Sequence, residues 1–118
     1  MSTNSTIIIK EKETFKSIYC HWDGYPEHQL PILNGYYNTI EKAKELISLG
    51  NLSSLGERLN PNMAGHSFNN AEDGVCVAYG RDRGEDDQEA DSDQNLEALR
   101  SEQYNYLFNE DTKTWEVI

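Results

Sequence analysis

The sequence has little positive charge and no long apolar run. Ten lysine and arginine residues stand against 21 aspartate and glutamate residues, so the formal net charge is −11. Direct binding to nucleic acid or to an anionic membrane needs clustered cationic side chains, which neutralise phosphate groups. No apolar stretch is long enough to span a bilayer, and residues 1–5 lack the pattern of a signal peptide. We therefore expect a cytoplasmic protein that contacts neither nucleic acid nor membrane directly.

Cysteine and histidine are also scarce, with two and three residues respectively. Cys20 and Cys76 both lie in predicted strands, and in a reducing compartment we interpret them as buried apolar residues rather than a disulfide or a nucleophile. His21, His28 and His66 do not follow a zinc-ligand spacing, and Cys20 and His21 would point to opposite faces of a strand. We therefore predict no metal, no cofactor and no enzymatic activity.

A chain of 118 residues is long enough for one hydrophobic core, so we expect residues 1–118 to form a single domain. The β-branched run at 7–9, followed by a polar turn and the apolar stretch 15–22, predicts an antiparallel hairpin. Residues 104–108 and 114–118 alternate aromatic and polar side chains at the strand period, which predicts a second hairpin at the end of the chain.

Two segments have helical spacing of apolar residues. Residues 27–37 predict a helix that Gly35 ends early and that tolerates Pro31 only in its first turn. Residues 38–49 predict a helix capped by Asn38.

The remaining segments are less regular. Residues 51–70 predict a turn of helix and then a loop, 74–80 a buried central strand, and 95–103 a short helix. We expect mobile loops at about 57–72 and 84–94. The predicted fold is α+β, with a small, mainly antiparallel sheet of four or five strands and helices packed on one face.

The segment 18–27 carries the densest group of aromatic, acidic and imidazole side chains. Asp23 and Gly24 permit a positive φ, and Pro26 forces the chain out of the strand, so the polar groups are exposed in a turn. Turns at the end of a strand often hold binding residues. Alternatively, Trp22 and Tyr25 close the end of the core. The sequence leaves both interpretations open.

Five segments together resemble a family of small, mostly uncharacterised proteins encoded in bacteriophages, prophages and plasmids. The resemblance implies a viral accessory protein in the bacterial cytoplasm, a category rich in inhibitors of restriction, CRISPR and nucleotide-signalling immunity. The segments are 2–7 (STNSTI), 17–28 (SIYCHWDGYPEH), 47–56 (ISLGNLSSLG), 79–85 (YGRDRGE) and 103–117 (QYNYLFNEDTKTWEV).

The first functional hypothesis is a non-enzymatic inhibitor, of anti-CRISPR or another anti-defence type, that binds a host defence protein through an acidic surface. Closely spaced carboxylates can occupy the groove in which a nucleic-acid-binding enzyme holds phosphate groups. The alternative is that the acidic stretch 82–93 is only a solvated loop. The candidate partner-binding residues are His21, Asp23, Tyr25, Glu27, Asp86, Asp87, Glu89, Asp91 and Asp93.

The second hypothesis is a sponge that sequesters a nucleotide immune signal, with or without a homo-oligomer interface. Arg81 and Arg83 follow a predicted strand at alternate positions, so both guanidinium groups could clamp a phosphate while aromatic rings stack on the base. The alternative is that they pair with Asp23, Glu27 or the acidic loop. The candidate ligand-binding residues are Trp22, Arg81, Arg83 and Glu85.

Overall fold

The computed structural model describes residues 2–118 and contains both predicted hairpins. Strands β1 (Ser5–Glu11) and β2 (Thr14–Cys20) pair in antiparallel fashion around a turn in which Lys12 has a φ of 59°. Strands β6 (Tyr104–Asn109) and β7 (Thr114–Val117) form the second antiparallel pair. Both hairpin predictions are therefore confirmed, since the β-branched run at 7–9 lies in β1 and the alternating segments at the end of the chain form β6 and β7.

Three short strands complete a seven-stranded sheet. They are β3 (Leu52–Ser54), β4 (Val77–Ala78) and β5 (Asp91–Asp93). The order is β4-β3-β2-β1-β6-β7, and β5 pairs with the other end of β2. Strands β1 and β6 run parallel, as do β2 and β3. The α+β class is confirmed, but the prediction of a small, mainly antiparallel sheet of four or five strands is wrong, because the sheet is mixed and larger.

The two main helices are confirmed with changed ends. Helix α1 (Pro26–Tyr36) contains both Pro31 and Gly35, so the predictions that Gly35 ends it and that Pro31 lies in its first turn are wrong. Helix α2 (Ile40–Ser48) is capped by Thr39, whose hydroxyl accepts a hydrogen bond from the Lys42 amide at 3.2 Å, and not by Asn38. Within residues 2–118, no helix is long and apolar enough to cross a membrane.

The segments predicted from weaker patterns differ most from the structure. Residues 52–54 form β3 rather than a helical turn. The predicted central strand at 74–80 is reduced to the two residues of β4 at the sheet edge, followed at once by helix α3 (Tyr79–Arg83). The Asp82 carboxylate accepts a hydrogen bond from the Ala78 amide at 2.8 Å, which turns the chain out of the strand.

The core lies mainly between one face of the sheet and helices α1 and α2. Buried side chains of β1, β2, β6 and β7 pack there against Leu33 of α1 and Leu46 of α2. On the opposite face Ile8 is also fully buried. Residues 94–103 lead from β5, beside β2, to β6, beside β1, and so cross the sheet. This crossover contains a 3-10 turn (Leu96–Ala98) in place of the predicted helix, and its Leu99 is buried.

Both loops predicted to be mobile carry internal hydrogen bonds. The Glu72 carboxylate accepts from the amides of Asn62 and Met63, which closes the loop at 57–72. The stretch 84–94 includes β5, although it was expected to remain solvated and unpaired. Their mobility stays a prediction.

Asn51 connects three parts of the chain that are distant in sequence. Its side-chain oxygen accepts from the Tyr19 amide of β2 at 2.9 Å, and its side-chain nitrogen donates to Gln88 Oε1 at 3.1 Å. Its own amide donates to the Gln88 carbonyl at 2.8 Å, and its carbonyl accepts from the Tyr79 amide at 3.2 Å. Asn51 therefore fixes the acidic segment and the start of α3 against β2.

Replacing Asn51 with alanine is expected to lower the free energy of unfolding by about 2 kcal/mol, because the Tyr19 amide and the Gln88 side chain lose their partner in a partly buried site. Asn38→Ala is the matched control, since Asn38 is exposed and its predicted capping role falls to Thr39. Urea unfolding followed by circular dichroism measures both. Equal losses in the two variants would contradict the role of Asn51.

Candidate functional site

The turn after β2 is held against the start of the chain. The amides of His21 and Trp22 donate to the carbonyls of Leu52 and Ser53 at 3.0 and 2.9 Å, which extends the parallel pairing of β2 with β3. Asp23 has a φ of 55°. The Gly24 amide donates to the Thr3 carbonyl at 2.9 Å, and a Cβ on Gly24 would lie 2.8 Å from the Asn4 carbonyl carbon. Only glycine fits this close approach of two backbones.

His21 is oriented by two neighbours. Its Nδ1 lies 2.6 Å from the Tyr19 hydroxyl and 3.4 Å from the Asn4 side-chain nitrogen, which also donates to the His21 carbonyl at 2.7 Å. Because the amide nitrogen can only donate, Nδ1 acts as the acceptor and the proton of the neutral ring lies on Nε2. Burial raises the pKa of Tyr19, with a further contribution from Glu102, so its hydroxyl keeps its proton and donates.

The two aromatic residues of the turn are on the surface. Trp22 is 47% exposed and touches the edge of the His21 ring, with centroids 4.6 Å apart. Tyr25 is 37% exposed and lies beside His28, and the carboxylates of Asp23 and Glu27 face solvent. The interpretation in which Trp22 and Tyr25 close the core is therefore wrong, and these side chains are available to a partner.

Residues that sequence reasoning did not single out close the core in their place. Gln29 is fully buried; it accepts a hydrogen bond from the Ser5 hydroxyl at 2.7 Å and donates to Cys20 Sγ at 3.1 Å. The Tyr106 hydroxyl donates to the Gly24 carbonyl at 2.6 Å. A glutamine in a helix normally indicates a surface position, so no local pattern predicts these contacts.

Both cysteines are buried as free thiols. Burial raises the pKa of Cys20 to about 12, against the opposing effect of the Gln29 hydrogen bond. Burial likewise raises the pKa of Cys76, whose sulfur lies 3.3 Å from the Gly56 amide nitrogen and 3.5 Å from the Tyr37 hydroxyl. Because a thiolate is the reactive form, neither group suits nucleophilic chemistry.

Arg81 is used inside the fold. Its guanidinium donates to the carbonyls of Leu59 and Cys76 at 2.5 and 2.7 Å and to both oxygens of Asp82. The Arg81 side chain and the Ala78 amide lower the pKa of Asp82 despite its burial, so this carboxylate stays ionised. His66 is buried on the other side of Asp82, with Nε2 3.2 Å from Oδ1. Arg81 therefore connects two loops to β4.

Arg83 points elsewhere. Its guanidinium lies 4.5 Å from the centre of the Phe68 ring and 5.2 Å from that of Tyr79, and it forms an ion pair with Glu85. Arg81 and Arg83 thus do not converge on one point. Each pairs with an acidic residue one or two positions away, and neither pairs with Asp23 or Glu27.

The turn and α3 are nevertheless neighbours. Tyr19 and Tyr79 both donate their backbone amides to Asn51, so the strand that leads into the turn and the start of α3 lie side by side. The surface clefts of about 460, 530 and 410 Å³ are lined by residues other than Trp22, Arg81, Arg83 and Glu85. The turn and α3 are therefore adjacent through their backbones, and Arg81 does not contribute a free cation to this region.

The acidic segment, defined here as residues 86–93, is exposed on an ordered backbone. Its carboxylates form no ion pair with any of residues 2–118, and its strand β5 pairs with residues 15–17 of β2. The turn begins at residue 21, four positions further along β2, or about 13 Å away at the rise of a strand. The carboxylates are those of Asp86, Asp87, Glu89, Asp91 and Asp93.

The described residues contain no group of three or more histidine, cysteine and acidic side chains arranged to hold a metal ion. No family model, curated protein or solved structure matches the chain.

Because the Trp22 side chain is exposed, we expect it to contribute little to the stability of the fold. Trp22→Ala is expected to lower the free energy of unfolding by less than about 1 kcal/mol, because half of the ring already contacts water. Trp115→Ala, at a residue only 3% exposed, is expected to cost about 3 to 5 kcal/mol. Urea unfolding followed by circular dichroism compares the two. Comparable losses would mean that Trp22 is a core residue after all.

Proposed function

We propose that this chain is a non-enzymatic inhibitor, encoded by a bacteriophage or a related mobile element, that binds a nucleic-acid-handling protein of bacterial defence in the host cytoplasm. The main support is the acidic segment, whose five carboxylates are exposed and free of ion pairs with residues 2–118. The resemblance to phage and plasmid proteins supports the biological setting.

The acidic segment suits this role because its backbone is held in place at both ends. Gln88 is bonded to Asn51 through both its carbonyl and its side chain, and β5 is bonded to β2. Binding therefore orders less of the chain than it would in a flexible tail, which lowers the entropic cost of association. A row of fixed carboxylates also attracts a basic groove over long distances and raises the association rate.

The turn supplies the second part of the proposed interface. His21, the first residue of the turn, lies about 13 Å along the strand direction from Ser17, which pairs with Asp91. One partner surface of standard size, about 800 Å² per protein, can therefore contact the acidic segment and the turn with its residues His21, Asp23, Tyr25 and Glu27. Exposed aromatic side chains are the residue types that most often dominate binding free energy. Acidic and aromatic groups together favour a partner with a basic rim around an apolar pocket.

Neutralising the acidic segment tests the proposal. The variant carries Asp86→Asn, Asp87→Asn, Glu89→Gln, Asp91→Asn and Asp93→Asn. We expect at least about a tenfold loss of affinity for the captured host protein at low salt, because steering typically contributes a factor of 10 to 1,000 to association. Pull-down from host lysate over a salt series, with phage plating on defence-positive and defence-negative hosts, provides the measurement.

The matched control removes five exposed carboxylates elsewhere, so its net charge changes by the same amount. It carries Glu13→Gln, Glu41→Gln, Glu45→Gln, Glu110→Gln and Asp111→Asn. We expect this control to retain binding and protection of the phage. Equal loss of binding in both variants would mean that only the net charge of the protein matters, which contradicts a role for the acidic segment. If the wild-type protein recovers no nucleic-acid-handling or immune protein at low salt, the proposed function is wrong.

A nucleotide sponge is the second candidate function. Its support is the stack of Arg83 on Phe68 and Tyr79, with 49% of the Arg83 side chain exposed. A phosphate would have to replace Glu85 as the partner of Arg83. A cyclic or linear nucleotide at about a hundred times its Kd should stabilise the protein by roughly 2.7 kcal/mol. A nucleotide panel without any shift in melting temperature removes this candidate.

A further inference from the structure

Helix α1 and the Tyr25 residue that precedes it carry a stripe of aromatic and aliphatic side chains that are exposed or half-buried. Tyr25, His28, Ile32 and Tyr36 are spaced by three, four and four residues, which places them on one side of the helix. Tyr36 is 48% exposed and Tyr25 37% exposed, so both ends of the stripe face solvent. Large exposed apolar side chains that line up in this way indicate a binding surface rather than scattered exposure.

A groove runs beside this stripe. His28 and Ile32 form one wall of a cleft of about 320 Å³, and the segment 71–77 forms the other. Leu55 and Val77, both largely buried, contribute apolar surface to the same cleft. The Trp22 amide is bonded to the Ser53 carbonyl, and Ser54 lines the cleft, so the backbone of the turn begins close to the cleft. We call this cleft and the stripe the α1 groove.

The unpaired charges of the α1 groove are negative. Glu57 lines the cleft, and its charge raises the pKa of the exposed Tyr36 phenol. Asp73 is exposed, and neither Glu57 nor Asp73 forms an ion pair with any of residues 2–118. Arg58, which is close by, is already bound to Glu72 at 2.5 Å. A partner therefore meets an apolar surface bordered by free carboxylates.

The dimensions indicate which kind of segment fits. Tyr25 and Tyr36 are eleven residues apart, or about 16 Å along the helix axis, which equals three helical turns. An amphipathic helix covers such a length with side chains at positions i, i+3 or i+4, and i+7. A second copy of this chain is a poor occupant, because each copy has a net charge of −11 and association would bring like charges together.

We propose that the α1 groove binds an amphipathic helix of a partner protein, with apolar side chains along its centre and lysine or arginine at its borders. The groove uses no residue of the acidic segment and shares Tyr25 with the interface proposed above, so this proposal goes beyond the proposed inhibitory function and is tested separately from it.

Two synthetic peptides test the proposal on the full chain. Both are 15 residues long, contain only leucine and lysine, and have the same composition. In one peptide the leucines form a single helical face, and in the other the order of residues is permuted so that they do not. Fluorescence anisotropy of labelled peptide measures binding. The two peptides carry the same charge, so a difference in affinity between them reports apolar contacts in a groove. We expect the amphipathic peptide to bind at least tenfold more tightly.

Variants locate the binding site. Tyr36→Ala, at a residue exposed enough to leave the fold intact, is expected to weaken the amphipathic peptide about tenfold, and Glu57→Gln to weaken it less. Val117→Ala is the control, because Val117 is 46% exposed on β7 and does not line the groove. Equal affinity for the two peptides, or equal effects of Tyr36→Ala and Val117→Ala, would overturn the proposal.

Discussion

Four hydrogen bonds at Asn51 hold surface segments of this protein against strand β2. They join the end of β2, the acidic segment and the start of α3, which are separated by up to 69 positions in the chain, from Tyr19 to Gln88. Gly50 packs so closely against the Gln88 carbonyl, with a φ of 77°, that a side chain there would collide with it. The position of the acidic segment therefore depends on a contact between two loops rather than on the hydrophobic core.

The two signs of charge are used in different ways. Each of the four arginines pairs with a nearby carboxylate, namely Arg58 with Glu72, Arg81 with Asp82, Arg83 with Glu85 and Arg100 with Glu97. Among residues 2–118 every arginine is therefore already paired, Lys16 is the only paired lysine, with Glu11, and most carboxylates remain in solvent. Self-repulsion among those carboxylates opposes compaction, and the backbone pairing of β5 with β2 holds the acidic segment against it.

The sequence predicts the helices and strands that have a strong local pattern of apolar residues. The β1–β2 hairpin contains a β-branched run, the β6–β7 hairpin alternates strongly, and α1 and α2 have helical spacing of apolar residues, so the sequence predicts these elements. Strands β3, β4 and β5 have two or three residues each, too few to show a period, and β5 consists of aspartate and serine. Their pairing is decided by distant contacts such as those of Asn51, which no local pattern records.

The sequence predicts which residues are exposed at the candidate site better than it predicts how those residues are arranged. The exposed turn and the acidic segment occur where the sequence placed them. Arg81, however, was expected to reach a ligand and instead donates to two carbonyls and Asp82. Guanidinium groups satisfy buried carbonyls as readily as they bind phosphate, and a spacing of two residues does not distinguish these uses. The α1 groove was missed because its second wall comes from residues 71–77.

Acidic and aromatic surfaces make different contributions to binding. Exposed charges act over about 8 Å at physiological salt, so they accelerate encounter but discriminate weakly among basic partners. Differences in affinity between related complexes arise mainly from dissociation, which depends on contacts that exclude water. On this protein such contacts are available at Trp22, Tyr25 and Tyr36. We infer that the acidic segment would set how fast a basic partner arrives, whereas the rings of the turn and of α1 would set which partner stays.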